Sequence, residues 1–107
     1  FDPKTGRWTS TGALAEARTQ FSMTLLQDGR VLVVGGARPP ASALSTAEIY
    51  DPTSGTWSTA GSMKTRRWNH RAVLLPNGDV LVVGGCDVLG ELTSVELYSP
   101  GLRESEK

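Results

Sequence analysis

Val31-Leu-Val-Val-Gly-Gly36 is spelled a second time at Val80-Leu-Val-Val-Gly-Gly85, an offset of 49 residues. The run is apolar on both faces and rich in β-branched residues, which is the pattern of a short strand covered on both sides. The glycine pair ends it where the chain must leave the sheet, and a missing Cβ permits both the turn and close approach by a neighbour. Sliding the whole chain by the same offset lays Phe1–Gly36 on Tyr50–Gly85, with 15 of 36 positions identical. Asp2-Pro3, Gly6, Trp8, Gly12, Arg18, Leu25-Leu26 and Gly29 all recur. A third register begins one residue early, with Ala47-Glu-Ile-Tyr50 on Val95-Glu-Leu-Tyr98 and Pro52 on Pro100. A loop between the glycine pair and that segment can absorb the slip. The chain is therefore an internal repeat with a period of about 49 residues, a length that points to solenoids, propellers or arrays.

Each unit reads as strands. Thr24–Leu26 and Ala72–Leu75 are short apolar runs, followed by Asp28-Gly29 and Asn77-Gly78, dipeptides that suit tight hairpins. Val31–Val34 and Val80–Val83 return. Ala47–Tyr50 and Val95–Tyr98 are third strands, and Asp51–Gly55 is a turn with Pro presetting φ and Gly at the left-handed corner. Thr56-Trp57-Ser58 is a fourth. No segment reads as a helix. Four antiparallel strands in about 49 residues, covered on both faces, make one blade of a β-propeller.

At this point the chain resembles the kelch repeat. The features that carry the likeness are an Arg before the first strand, a glycine pair ending the second, and a Tyr and a Trp at fixed distances. Here they are Arg18, Gly35, Gly36, Tyr50 and Trp57, then Arg67, Gly84, Gly85 and Tyr98. The wording of Leu74–Gly85 looks most like kelch units of bacterial proteins and of galactose-oxidase-like propellers. The resemblance implies strands A to D running from axis to rim. The chain then reads D, ABCD, ABC: an orphan outer strand in 1–12, a complete blade in 13–61, three strands of a second blade in 62–101, and a polar tail in 102–107. Trp8 and Trp57 are expected to be largely buried on D strands. Seven residues beyond Tyr98 stands Ser105, so the second blade lacks a D strand of its own.

Composition excludes little. Eleven basic and eleven acidic residues cancel, so nothing global favours nucleic acid or an anionic membrane. No run reaches the roughly 18 apolar residues of a membrane span. The single cysteine, Cys86, can form no internal disulfide and rules out a Cys-based zinc knuckle. The chain opens at Phe1 without a leader-like segment, and is expected to be a piece of something longer. Compartment is open, with only the resemblance leaning toward secreted or periplasmic.

Chemistry candidates are few. Lys64, Arg66, Arg67, His70 and Arg71 with Trp68 could form a small anion patch, but Arg67 and His70 read better as framework. His70 is the only histidine and its counterpart is Phe21. Glu48 and Glu96 hold one repeat position and read as partners of Arg18 and Arg67, compensating buried charge, rather than as an acid–base pair. The resemblance to galactose-oxidase-like enzymes places their copper tyrosine two residues after the Arg. Gln20 and Asn69 stand there, so no copper site, other metal or cofactor is expected. Loops on a rigid scaffold carry recognition, and the variable segments around Leu14–Gln20, Ala37–Ser45, Met63–Asn69 and Cys86–Thr93 make Arg38, Arg66, Trp68, Asn69, Asp87 and Glu91 the candidate partner-binding residues.

The expectation is a non-catalytic binding or assembly module whose loop face recognises a protein or glycan, with no nucleic-acid or membrane partner. The alternative is the scaffold part of a secreted galactose-oxidase-like enzyme with its active site outside this chain. Two blades cannot close a ring, so a head-to-tail homo-oligomer is expected, three copies and six blades before four copies and eight.

Overall fold

The computed structural model describes residues 4–38 and 42–100. Its architecture is all-β, with no helix among the described residues. The strands are β1 (Ser22–Leu25), β2 (Val31–Val34), β3 (Ala37–Arg38), β4 (Ser42–Ala43), β5 (Thr46–Asp51), β6 (Thr56–Ser62), β7 (Arg71–Leu74), β8 (Val80–Val83), β9 (Cys86–Asp87), β10 (Gly90–Glu91) and β11 (Val95–Tyr98). A first sheet pairs β1, β2, β5 and β6 in that order, and a second pairs β7, β8 and β11. All neighbouring strands are antiparallel.

The repeat is visible in the turns. Leu26 N–H donates to the Arg30 carbonyl at 2.8 Å and Gly29 N–H to the Leu26 carbonyl at 3.1 Å; Leu75, Asp79 and Gly78 repeat this at 2.8 and 2.9 Å. Each hairpin loop thus has three residues, a type I turn closed by a left-handed glycine, rather than Asp-Gly or Asn-Gly alone as the turn pair. In the longer β5–β6 turn, Gly55 N–H donates to the Asp51 carbonyl at 2.8 Å.

The core lies between the two sheets. Leu26, Leu32, Val34, Ala47 and Ile49 of the first unit meet Val80 and Val82 of the second, with Ala72, Leu74 and Tyr98 packed against them. Strand alternation sorts the faces. On the first sheet, Leu32, Val34, Ala47 and Ile49 face inward, whereas Met23 and Leu25 are exposed. On the second, Val80 and Val82 face inward, whereas Val73, Val83, Val95 and Leu97 are exposed.

Two expectations need correction. Residues 4–12 contain no extended strand, and Trp8 is 81% exposed instead of buried. A strand exists through its ladder; this segment joins none of the described sheets and is tied instead at its end to β5–β6, where Gly12 N–H donates to the Gly55 carbonyl at 3.2 Å and Trp57 Nε1 donates to the Gly12 carbonyl at 2.8 Å. Trp57 lies on β6 but is half-buried, its ring 5.0 Å from that of Tyr50, to which it is also paired in register. The segments read as open loops after the glycine pairs instead form two-stranded ribbons, β3–β4 and β9–β10. The β9–β10 turn is set by Asp87, whose Oδ1 accepts from Leu89 N–H at 2.8 Å. The polar tail 102–107, with residues 1–3 of the N-terminal strand call, lies outside the described residues.

Candidate functional site

The repeat builds the same charged clamp twice. Arg18 enters the first sheet beside the glycine pair, and its guanidinium is fully buried. Nη1 donates to the carbonyls of Gly35 at 2.8 Å and Thr46 at 2.9 Å, and Nη2 to Glu48 Oε2 at 2.9 Å. Glu48, itself buried, also accepts from Ala15 N–H at 2.8 Å. Arg67 repeats this: Nη1 donates to Gly84 and Ser94 carbonyls at 3.0 and 2.9 Å, and Nη2 to Glu96 Oε2 at 2.9 Å. Glu96 accepts from Lys64 and Thr65 N–H at 2.7 and 3.1 Å. Burial alone would raise the Glu96 carboxyl, but these two N–H groups and Arg67 bring it below the ordinary glutamate value. Each clamp pins the entry to a first strand onto the second and third strands. The carboxylates are occupied by an arginine and backbone amides, which is a structural role.

The glycine pairs explain themselves in contacts. A Cβ on Gly35 would lie 2.7 Å from the Arg67 carbonyl and 2.9 Å from His70 Cε1. One on Gly36 would lie 2.6 Å from the Thr19 carbonyl. Both glycines have positive φ. The pair therefore lets the entry segments of two successive units pass close to one another, and Gly36 N–H donates to the Arg67 carbonyl at 2.8 Å.

His70 bridges the two sheets. It is buried, and its Nε2 lies 2.8 Å from Ser22 Oγ on β1. Burial, and next the positive charge of Arg67, lower its pKa below the ordinary 6.5. The unfolded chain therefore binds a proton more readily than the folded one, so stability rises with pH across this window. We expect full stability above about pH 6.5 and a decline as pH falls below it. Urea midpoints from pH 7.5 to 5 check this, and the dependence should flatten in His70→Phe, which installs the counterpart residue.

The recognition candidates fall into two groups. A backbone bridge between Thr19 and Ala37 sets the first entry loop beside the β3–β4 ribbon that carries Arg38. Arg38 reaches Glu16 at 3.5 Å. A bridge between Trp68 and Cys86 likewise sets the second entry loop beside β9–β10, which carry Asp87 and Glu91. Arg66, Asn69 and Glu91 are exposed, while Trp68 and Asp87 are half-buried. Asn69 N–H donates to the Gln20 carbonyl at 2.8 Å, which joins the two loops. Gln20 and Asn69 both have positive φ, at 54° and 57°, an uncommon state for residues other than glycine. Gln20 escaped the sequence reading as a candidate, and its pairing with Asn69 at one repeat position was the available signal. The cleft between the sheets, bordered by Val34, Ala47, Met63, Val82 and Tyr98, holds about 80 Å³. That is well below the several hundred Å³ of an ordinary small-molecule pocket. Among the described residues, no group of three or more His, Cys, Asp or Glu side chains could hold a metal ion.

No curated protein matches the chain. The Kelch motif matches residues 24–64, from β1 through β6 and into the entry to the second unit. The arginine clamp, the glycine pair and the Tyr50–Trp57 contact are built in and around that span, and the chain carries a kelch motif there.

Proposed function

We propose that this chain supplies two blades of a kelch β-propeller whose ring is completed by further copies, and that the ring is a non-catalytic recognition module. Three copies and six blades are the favoured closure, and four copies with eight blades the next. The partner, a protein or a glycan, docks on the face carrying the two entry loops and the β3–β4 and β9–β10 ribbons.

The observation that carries this reading is the mismatch between the sheets' two sides. Val95 and Leu97 are exposed, yet their repeat counterparts Ala47 and Ile49 are buried in the core between the sheets. Met23 and Leu25 are exposed on the first sheet, yet their counterparts Ala72 and Leu74 pack against that core. Each outer face is thus one half of the contact already made inside the chain. The two halves are different, so they satisfy one another head to tail, and such contacts close only as a ring. Solvent-exposed apolar area of this kind marks an interaction surface.

The edges match as well. β5 is flanked by β6, and Tyr50 is paired with Trp57. Its counterpart β11 pairs only with β8 among the described residues. The segment around Trp8, the repeat counterpart of the Trp57 strand, supplies the missing neighbour from another copy. In that register Trp8 meets Tyr98 as Trp57 meets Tyr50.

Light scattering on the purified chain tests the assembly, with a folded species expected at about three times the 11.4 kDa chain mass. A folded species at the single-chain mass overturns the reading. Removing residues 1–10 should abolish the ring, and an unchanged oligomer would refute the edge pairing.

A further inference from the structure

The joint inside the chain and the joint between copies cannot be chemically alike, because the repeat is imperfect where they meet. Inside the chain, His70 of the second unit reaches back to Ser22 and Gly35 of the first. With the 49-residue offset, Ser22 corresponds to Arg71, Gly35 to Gly84, and His70 to Phe21. We propose that the copy–copy joint is closed by Phe21 of one copy, set on Arg71 and Gly84 of the preceding copy. The inference rests on the ring reading above and names the residues that make its joint.

Three observations carry it. First, Phe21 is placed as His70 is. A Cβ on Gly36 would lie 3.0 Å from Phe21 Cβ, and one on Gly85 would lie 2.9 Å from His70 Cβ. The two side chains therefore leave the same point of their own units, and His70 uses that direction to reach the sheet before it. Among the described residues no sheet receives Phe21 on that side, and it is 37% exposed. Second, the receiving position is open. Gly35 is crowded by Arg67, His70 and Met63, all from the following unit, at 2.7–3.0 Å from a built Cβ. At Gly84 the one comparable neighbour is the Leu92 carbonyl, at 3.5 Å. Third, the chemistry is complementary. Ser22 offers a hydroxyl to an imidazole, whereas Arg71, exposed at the end of β7, offers a planar cation to a phenyl face. A guanidinium over an aromatic ring is attractive, and more so once desolvated.

The test is a mutant cycle read by assembly of the full chain, with circular dichroism reporting folding separately. Phe21→Ala and Arg71→Ala should each weaken assembly about tenfold and leave the single chain folded, since both residues are exposed in it. Phe21→His alone sets an imidazole against Arg71 and should weaken assembly too. Phe21→His with Arg71→Ser transplants the internal His–Ser pair into the joint and should recover assembly relative to either single change. If the wild-type chain assembles but Phe21→Ala and Arg71→Ala both leave its concentration dependence unchanged, this joint is wrong and the ring reading stands. If the double variant is no better than the sum of the single ones, the pairing of these two residues is refuted. A single-chain mass for the wild type overturns the ring reading, and the joint with it.

Discussion

Arg18→Ala is expected to destabilise the chain by about 3–5 kcal/mol, the range for breaking a buried ion pair by removing one partner. The magnitude follows from what is left behind. Glu48 is 3% exposed, and its Oε2 loses the 2.9 Å contact to Arg18. The carbonyls of Gly35 and Thr46 lose a donor in the same change. Two N–H groups, from Ala15 and Glu16, still reach the carboxylate, at 2.8 and 3.4 Å, so the charge is partly held. Removing both partners, as Arg18→Met with Glu48→Leu, should cost clearly less than Arg18→Ala plus Glu48→Ala, because no orphaned charge remains. Arg67→Ala should be milder than Arg18→Ala, since the Glu96 side chain is 19% exposed and water can compensate it. Chemical denaturation of Arg18→Ala, Glu48→Ala, Arg67→Ala and the Arg18→Met/Glu48→Leu double variant checks the order. Equal losses for Arg18→Ala and an exposed control such as Arg66→Ala would show that the clamp holds nothing.

How far the sequence revealed this structure depends on which physics wrote each part. The four residues of β2 and the four of β8 are legible to the residue, because an apolar, β-branched run reads as a strand and the glycine pair marks its end, although only β2 is covered on both faces while Val83 of β8 is 37% exposed; β11 is legible from its likeness to Ala47–Tyr50. The Arg–Glu clamps are legible because a charge repeated at fixed spacing beside a strand calls for a partner at a similarly repeated position. The β3–β4 and β9–β10 ribbons are not legible. Two residues per strand are too few for a period, and the ribbons depend on local side-chain turns such as Asp87 to Leu89. Trp8 shows a different limit. Its register is that of Trp57, but burial is a property of the surroundings: Trp57 is half-buried against Tyr50 and donates to the Gly12 carbonyl, whereas Trp8 is 81% exposed. The positive φ shared by Gln20 and Asn69 was hidden for a simpler reason, since neither residue type signals a left-handed position as glycine does.

Leu97→Glu and Ile49→Glu, substitutions at one repeat position, should have opposite consequences. Ile49 is 6% exposed in the core between the sheets, whereas Leu97 is 55% exposed on the outer side of β11. A carboxylate at position 49 is placed among Leu26, Leu32, Val34 and Val82 with no cation within that cluster, so the chain should lose its cooperative fold. At position 97 the single chain presents the carboxylate to water, and its stability should move by no more than about 0.5 kcal/mol. In a ring, however, that position is covered by the first sheet of the next copy, as Ile49 is covered by the second sheet of its own chain. Losing the burial of one leucine is worth about 1.5–3 kcal/mol, and desolvating a carboxylate adds to it. Assembly should therefore weaken by at least about a hundredfold, leaving a folded single chain at micromolar concentration. Light scattering and circular dichroism on the same samples separate the outcomes. Loss of the assembly with the fold intact is the result expected of a covered face. An unchanged oligomer would mean that the outer side of β11 stays in water, and that the copies meet somewhere else.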